Sequence, residues 1–178
     1  GIHHDFNKAI HFFGEAGKQK DADALYYLGL IYYKGKYISR DIEKAVHYFT
    51  LAADENKANA QYYLGVIYYK GKYVNRDIRK AIRYFTQSAD QGQMYSQYYL
   101  GLIYYRGEYT PRNIMKSVRF FTLSANQDNH KAQFYLGLIY YKGKSIPRDI
   151  NKSIRYFSSS ASQNNADSQY YLGLIYYK

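Results

Sequence analysis

Ala58-Asn59-Ala60-Gln61-Tyr62-Tyr63-Leu64-Gly65-Val66-Ile67-Tyr68-Tyr69-Lys70-Gly71, followed by Asp77 through Phe85, is the stretch that decides the fold. Ala60, Leu64, Ile67 and Tyr68 recur at intervals of three and four, the spacing of one helical face. Gly71 stops this helix, because glycine takes the left-handed C-terminal conformation at little steric cost. A short loop follows. Asp77 then opens a second helix by accepting hydrogen bonds from its free N–H groups. In the preceding copy the buried stripe of this second helix is Ala45, Tyr48, Phe49 and Ala52.

Working outward, the same pattern returns every 36 residues. Leu-Gly pairs stand at Leu28-Gly29, Leu64-Gly65, Leu100-Gly101, Leu136-Gly137 and Leu172-Gly173, with no insertion between copies. A second landmark is Gly35, Gly71, Gly107 and Gly143. A third is Asp5, Asp41, Asp77, Asn113 and Asp149, where asparagine caps as aspartate does. Each copy therefore reads as helix A, roughly Ala22 to Lys34 in the first full unit, then helix B from Asp41 to near Asn56. The turn residues Asn56, Gly92, Asp128 and Asn164 close each unit. Neither helix buries its apolar face alone, and stacked neighbours do, which is why such units come in arrays. The expected organisation is one all-α array: a helix B at 5–18, repeats at 21–56, 57–92, 93–128 and 129–164, and a helix A at 165–178. Gly29, Gly65, Gly101, Gly137 and Gly173 lie inside helix A, where glycine costs about 1 kcal/mol against alanine. Their recurrence implies a close helix–helix approach at that position.

Composition narrows the functional classes. Lys and Arg total 25 against 14 Asp and Glu, a net charge of +11, which favours acidic or phosphate-bearing partners. The absence of cysteine excludes disulfides, thiolate zinc sites and thiol nucleophiles. The longest apolar run, Leu25 to Tyr33, is far short of the ~20 residues a membrane span needs. Gly1-Ile2-His3-His4 carries no apolar run, so no signal peptide is expected there, and the cytoplasm is the favoured setting. The five histidines are scattered. His11 and His47 share a register position that is Arg83, Arg119 and Arg155 in later copies. No Ser-His-Asp, metal-ligand or phosphate-loop pattern occurs. No catalytic residue, metal or cofactor is expected.

The unit Ala-x-Ala-x-Tyr-x-Leu-Gly-x-x-Tyr-x-x-Gly, then Asp-x-x-x-Ala-x-x-x-Phe, resembles the Sel-one-like repeat (SLR), a relative of the tetratricopeptide solenoids, over nearly the whole chain. The resemblance implies a right-handed superhelix of antiparallel helix pairs acting as an adaptor that binds proteins. Departures are Gly14 and Gly17 in the first helix B, Thr110 in one loop, and Ser117 and Ser153 for the usual alanine. Cysteine-rich bacterial relatives tie helices together with disulfides, which this chain does without.

On another face of helix A, turned away from the core face, lie Asp23, Tyr27, Leu30 and Lys34. In related superhelices this face lines the concave surface. The repeated set is Tyr27, Tyr63, Tyr99, Tyr135 and Tyr171 beside Lys34, Lys70, Arg106, Lys142 and Lys178, an aromatic ladder next to a basic one. Tyrosine offers contact area at low entropic cost, with a hydroxyl handle, so the pair suits an acidic, extended peptide. The competing reading is structural: the cations complement the helix dipole, and the tyrosines pack against the next repeat. A loop line of Lys36, Lys72 and Lys144 with Arg40, Arg76, Arg112 and Arg148 reads as a solvated edge. The leading functional reading is a protein-interaction scaffold. The alternatives are the repeat segment of a larger signalling enzyme such as a protein kinase, and an RNA-binding solenoid using tyrosine stacking beside charge. Continuing the register, helix B at 5–18 of a second molecule follows helix A at 166–178 of the first, so head-to-tail self-association is a further expectation.

Overall fold

In a computed structural model, residues 5–36 and 38–177 are described. They form ten α-helices and no strand: α1 Phe6–Lys18, α2 Ala22–Lys34, α3 Ile42–Asp54, α4 Ala58–Lys70, α5 Ile78–Asp90, α6 Met94–Arg106, α7 Ile114–Ala125, α8 His130–Lys142, α9 Ile150–Ala161 and α10 Ala166–Tyr177. The all-helical solenoid of paired helices read from the 36-residue register is the observed architecture.

Local chemistry sets the helix limits. The side chains of Asp5, Asp41, Asp77, Asn113 and Asp149 accept from the N–H of Lys8, Lys44, Lys80, Lys116 and Lys152 at 2.9–3.0 Å. Each satisfies one of the donors that a helix start leaves free. At the other end of helix A, Gly35, Gly71 and Gly143 take φ near +60° and donate to the carbonyls of Ile31, Ile67 and Ile139. The turn after helix B uses the same left-handed region at Asn56, Gly92, Asp128 and Asn164, and at Lys20 in the first copy.

The chain divides into two compact units, residues 1–93 with α1 to α5 and residues 94–178 with α6 to α10. Within each, consecutive helices pack on one another. The backbones of A helices also approach each other, α2 to α4, α6 to α8 and α8 to α10, whereas the B helices α3 and α5 meet through side chains, with a hydrogen bond between Tyr84 and Thr50. Each unit therefore curves with its A helices on the inner side. Val66, Leu102 and Leu138, the equivalents of Leu30, are buried, because part of the supposedly outward face is covered by packing among the A helices.

The core has a fixed composition. Leu28, Leu64, Leu100 and Leu136 are buried with Phe49, Phe85, Phe121 and Phe157. Each phenylalanine ring lies directly on the helix-A glycine of its own pair. A Cβ on Gly29, Gly65 or Gly101 would sit 2.5 Å from Cδ1 of Phe49, Phe85 or Phe121, and one on Gly137 would sit 2.6 Å from Cδ1 of Phe157. Real carbon atoms do not approach so closely, so glycine is demanded by the ring. At Gly14 and Gly173 nothing lies within 4 Å of the same construction. The serines that replace the helix-B alanine fare differently. Ser153 donates to the Gly137 carbonyl at 2.9 Å, but the buried Ser117 hydroxyl has no partner.

Two expectations follow for thermal or urea unfolding of the full chain. Gly65→Ala destabilises by about 1–3 kcal/mol through overpacking, and Gly14→Ala stabilises by up to about 1 kcal/mol through helix propensity. Equal and same-signed shifts would remove the steric account. Ser117→Ala stabilises by about 1 kcal/mol by relieving an unpaired buried hydroxyl, while Ser153→Ala does not.

Candidate functional site

The ladder tyrosines stand where one helix pair meets the next. In the first unit, Tyr63 stacks on Phe49, ring centres 5.1 Å apart and planes 9° from parallel. Phe49 is thus held between Gly29 of its own pair and Tyr63 of the following helix A. In the second unit Tyr135 stacks on Phe121 and Tyr171 on Phe157, each at 5.1 Å. Tyr27 stacks on Phe13 at 5.3 Å and remains exposed. Tyr33, Tyr105 and Tyr141 close the same clusters edge-on, at 5.3–5.6 Å from Tyr63, Tyr135 and Tyr171. Tyr99 is half-buried, with its ring edge-on to Tyr98 at 5.5 Å. Such pairs contribute about 0.5–1.5 kcal/mol beyond the area they bury. Tyr63, Tyr99, Tyr135 and Tyr171 are half-buried and Tyr27 is exposed, so the ladder is both a packing device and a surface.

Burial, with the neighbouring Tyr63, Tyr27 and Asp23, pushes the Tyr26 hydroxyl up to about 12. Burial, then Tyr33, also raises Tyr63. These phenols stay neutral donors near neutral pH. Their contribution to stability is complete below the ordinary tyrosine value of about 10 and is lost as pH rises from there through the raised folded values, since the unfolded chain ionises first.

The basic residues fall into two groups. The loop arginines read as a solvated edge are docked on aromatic faces: Arg76 on Tyr69, Arg112 on Tyr105 and Arg148 on Tyr141, at 5.5–5.7 Å. Arg40 donates to the Tyr73 hydroxyl at 2.7 Å and to the Lys34 carbonyl at 3.2 Å. The ladder cations differ. Lys34, Lys70 and Lys142 are exposed at the ends of α2, α4 and α8, and none has a carboxylate within ion-pair distance among the described residues. Arg106 is also exposed; Lys178 lies outside the described residues. In the first unit Tyr27, Leu30, Ile31 and Lys34, with Phe6 and Lys36, line an apolar-floored cleft of 290 Å³.

A glutamine ladder went unread in the sequence. Gln91 donates to the Oε1 of buried Gln61 at 2.8 Å, and Gln127 to Gln97 and Gln163 to Gln133 at 2.9–3.0 Å. The signal was available, because these glutamines also recur every 36 residues and always 30 apart. Among the described residues no group of three or more His, Asp or Glu side chains is placed to hold a metal ion. No described helix is long and apolar enough to cross a membrane.

The Sel1 repeat family model matches residues 1–21, 22–57, 58–93, 95–129, 130–165 and 166–178. The chain belongs to the Sel1 repeat family, and proteins of this class are generally non-catalytic scaffolds. Among solved structures it is similar to c5321, a protective antigen of uropathogenic Escherichia coli with an SLR fold, at 28% identity and TM-score 0.89 over 94% of this chain and 36% of that one. A Sel1 repeat protein from Oxalobacter formigenes gives 27% identity and TM-score 0.86 over 98% of this chain and 71% of that one. Cysteine rich protein B of Helicobacter pylori gives 25% identity and TM-score 0.55 over 71% and 90%. The chain thus spans about a third of the length of the E. coli protein. A search of curated proteins returned no match.

Tyr63 provides the decisive substitution. Tyr63→Phe keeps the stack on Phe49 and should leave the melting temperature nearly unchanged, whereas Tyr63→Ala should cost about 2–4 kcal/mol, in the range of core aromatic truncations. Equal melting temperatures for the two variants would show that the ring carries no packing load.

Proposed function

We propose that the chain is a protein-interaction scaffold whose A-helix face receives extended acidic segments of partner proteins. The binding set in the first unit is Tyr27, Tyr63, Lys34 and Lys70. In the second it is Tyr99, Tyr135, Tyr171, Arg106, Lys142 and Lys178. The observation that carries the reading is the unneutralised cations: exposed lysines recur at one register position, Lys34, Lys70 and Lys142, without a carboxylate partner. Helix-dipole complementarity accounts for one cation per helix end at about 0.3–1 kcal/mol. It does not account for partly exposed tyrosines beside them, or for a net charge of +11 left without acidic compensation. An extended chain carrying alternate carboxylates meets both, with tyrosine side chains for its backbone and ammonium groups for its side chains. Long-range attraction also speeds encounter.

A labelled oligoglutamate peptide and an oligolysine control, followed by fluorescence anisotropy, test this directly. The acidic peptide should bind, weaken steeply as salt shortens the screening length, and lose about tenfold or more in affinity in the Lys34→Glu, Lys70→Glu double variant at unchanged helix content. Binding that ignores both salt and charge reversal, or no binding at low salt, would overturn the reading. Concentration-dependent mass in sedimentation would reveal a second copy of the chain as the occupant instead.

A further inference from the structure

Two equivalent clefts differ at one decisive position. In the first unit Tyr33, Val66, Ile67, Lys70, Lys72 and Tyr73 line a cleft of 150 Å³. The same place in the second unit, 72 residues on, is lined by Tyr105, Ile139, Lys142, Lys144 and Ser145, with Arg112 and Ile114, and measures 230 Å³. Serine stands where the first unit has Tyr73, and the cleft is correspondingly larger.

The first unit shows what this place accepts. Two cations stand by the Tyr73 ring, the Lys72 ammonium 5.1 Å and the Arg40 guanidinium 5.6 Å from its centre. Arg40 also donates to its hydroxyl at 2.7 Å. The Lys72 ammonium beside that oxygen, with the charge of Arg40, holds the Tyr73 phenol below its ordinary range, so the surroundings favour negative charge there. The second unit keeps the same cations: Arg112, Lys142 and Lys144 line its cleft where the first unit has Arg40, Lys70 and Lys72. Arg112 is already oriented by the Tyr105 face, 5.7 Å away. None of the three has a carboxylate within ion-pair distance among the described residues.

We propose that the cleft of Arg112, Lys142, Lys144 and Ser145 takes the side chain of a phosphorylated tyrosine on a partner protein. The ring occupies the position that Tyr73 holds in the first unit, with Arg112 and Lys144 beside it, over the apolar floor of Ile139. The phosphate meets the cations that have no acidic partner. A phosphate carries close to two negative charges and three acceptor oxygens, which suits three converging donors through charge-assisted hydrogen bonds. A carboxylate supplies charge but no ring for the cation faces. Unmodified tyrosine supplies the ring and leaves three cations unpaired, and phosphoserine is too short to bring a ring at all. The inference rests on the scaffold reading and names one side chain that this surface recognises.

The full chain is titrated with N-acetyl-phosphotyrosine amide and followed by amide NMR. Saturable shifts at Lys144 and Ser145 are expected, with affinity about tenfold or more weaker for tyrosine amide, phosphoserine amide and inorganic phosphate. Ser145→Tyr rebuilds the arrangement of the first unit, so it should keep the melting temperature and abolish binding; Arg112→Gln should weaken it about tenfold or more. The proposal is overturned by absence of saturable binding at millimolar probe, by binding that survives Ser145→Tyr, or by inorganic phosphate or phosphoserine binding as tightly as phosphotyrosine. Because the oligoglutamate assay reverses Lys34 and Lys70 in the other unit, the two readings fail separately. A silent phosphotyrosine titration with oligoglutamate binding intact sinks only this one.

Discussion

A phenylalanine ring resting on a glycine fixes almost everything else in this molecule. Phe49 lies on Gly29 so closely that no Cβ fits between them, and Phe85, Phe121 and Phe157 repeat the contact on Gly65, Gly101 and Gly137. The contact sets the separation of the two helices in a pair. It also presents the other face of the ring to the next helix A, where Tyr63, Tyr135 or Tyr171 stacks on it. One residue thereby specifies the geometry within a pair and the geometry between pairs. That is how a 36-residue unit, too small to bury its own core, becomes stable only as part of an array.

The same device limits where function resides. Because Tyr63, Tyr135 and Tyr171 are needed to cover phenylalanine, only part of each of these half-buried side chains is available to a partner. Binding specificity must then come from groups that packing does not consume. The loop arginines are largely committed, lying on Tyr69, Tyr105 and Tyr141. A further set of lysines, Lys44, Lys80, Lys116 and Lys152, lies 5.1–5.2 Å from the centres of Tyr32, Tyr68, Tyr104 and Tyr140. The lysines that end α2, α4 and α8 are left over, and charge is therefore the property this surface has to offer.

The fold was legible in the sequence because each of its determinants is a single residue at a fixed register. Glycine stops helix A, an acidic or amide side chain starts helix B, and an internal glycine marks a close approach. What the sequence left open were the relations that need two helices at once. The wheel of α2 placed Leu30 on an outward face, but packing among A helices buries its equivalents Val66, Leu102 and Leu138. The internal glycine announced a close contact without naming its partner, since Phe49 lies 20 residues away on another helix. The paired glutamines were visible as a repeat, yet only the packing explains why polar side chains recur at 30-residue spacing. Gln61, Gln97 and Gln133 are buried, and each needs its partner glutamine as a donor.

Near-identity of the copies makes their differences informative. Positions held by the phenylalanine–glycine contact barely vary, because any change there is felt on both sides of the ring. The loop between helices A and B is under no such constraint, and there the series runs Tyr37, Tyr73, Tyr109, Ser145. In the first unit Tyr73 engages the cations beside it, which neutralises nothing but gives the guanidinium of Arg40 an acceptor and both cations a π-face. Replacing that ring by Ser145 withdraws the acceptor and leaves the cations in place. Arg112, Lys142 and Lys144 are exposed, so water screens them and a serine is tolerated at this position, while an external anion can restore the acceptor that the ring supplied. A repeat array can in this way turn one of several equivalent junctions into a recognition site by deleting a side chain, with the rest of the junction already built.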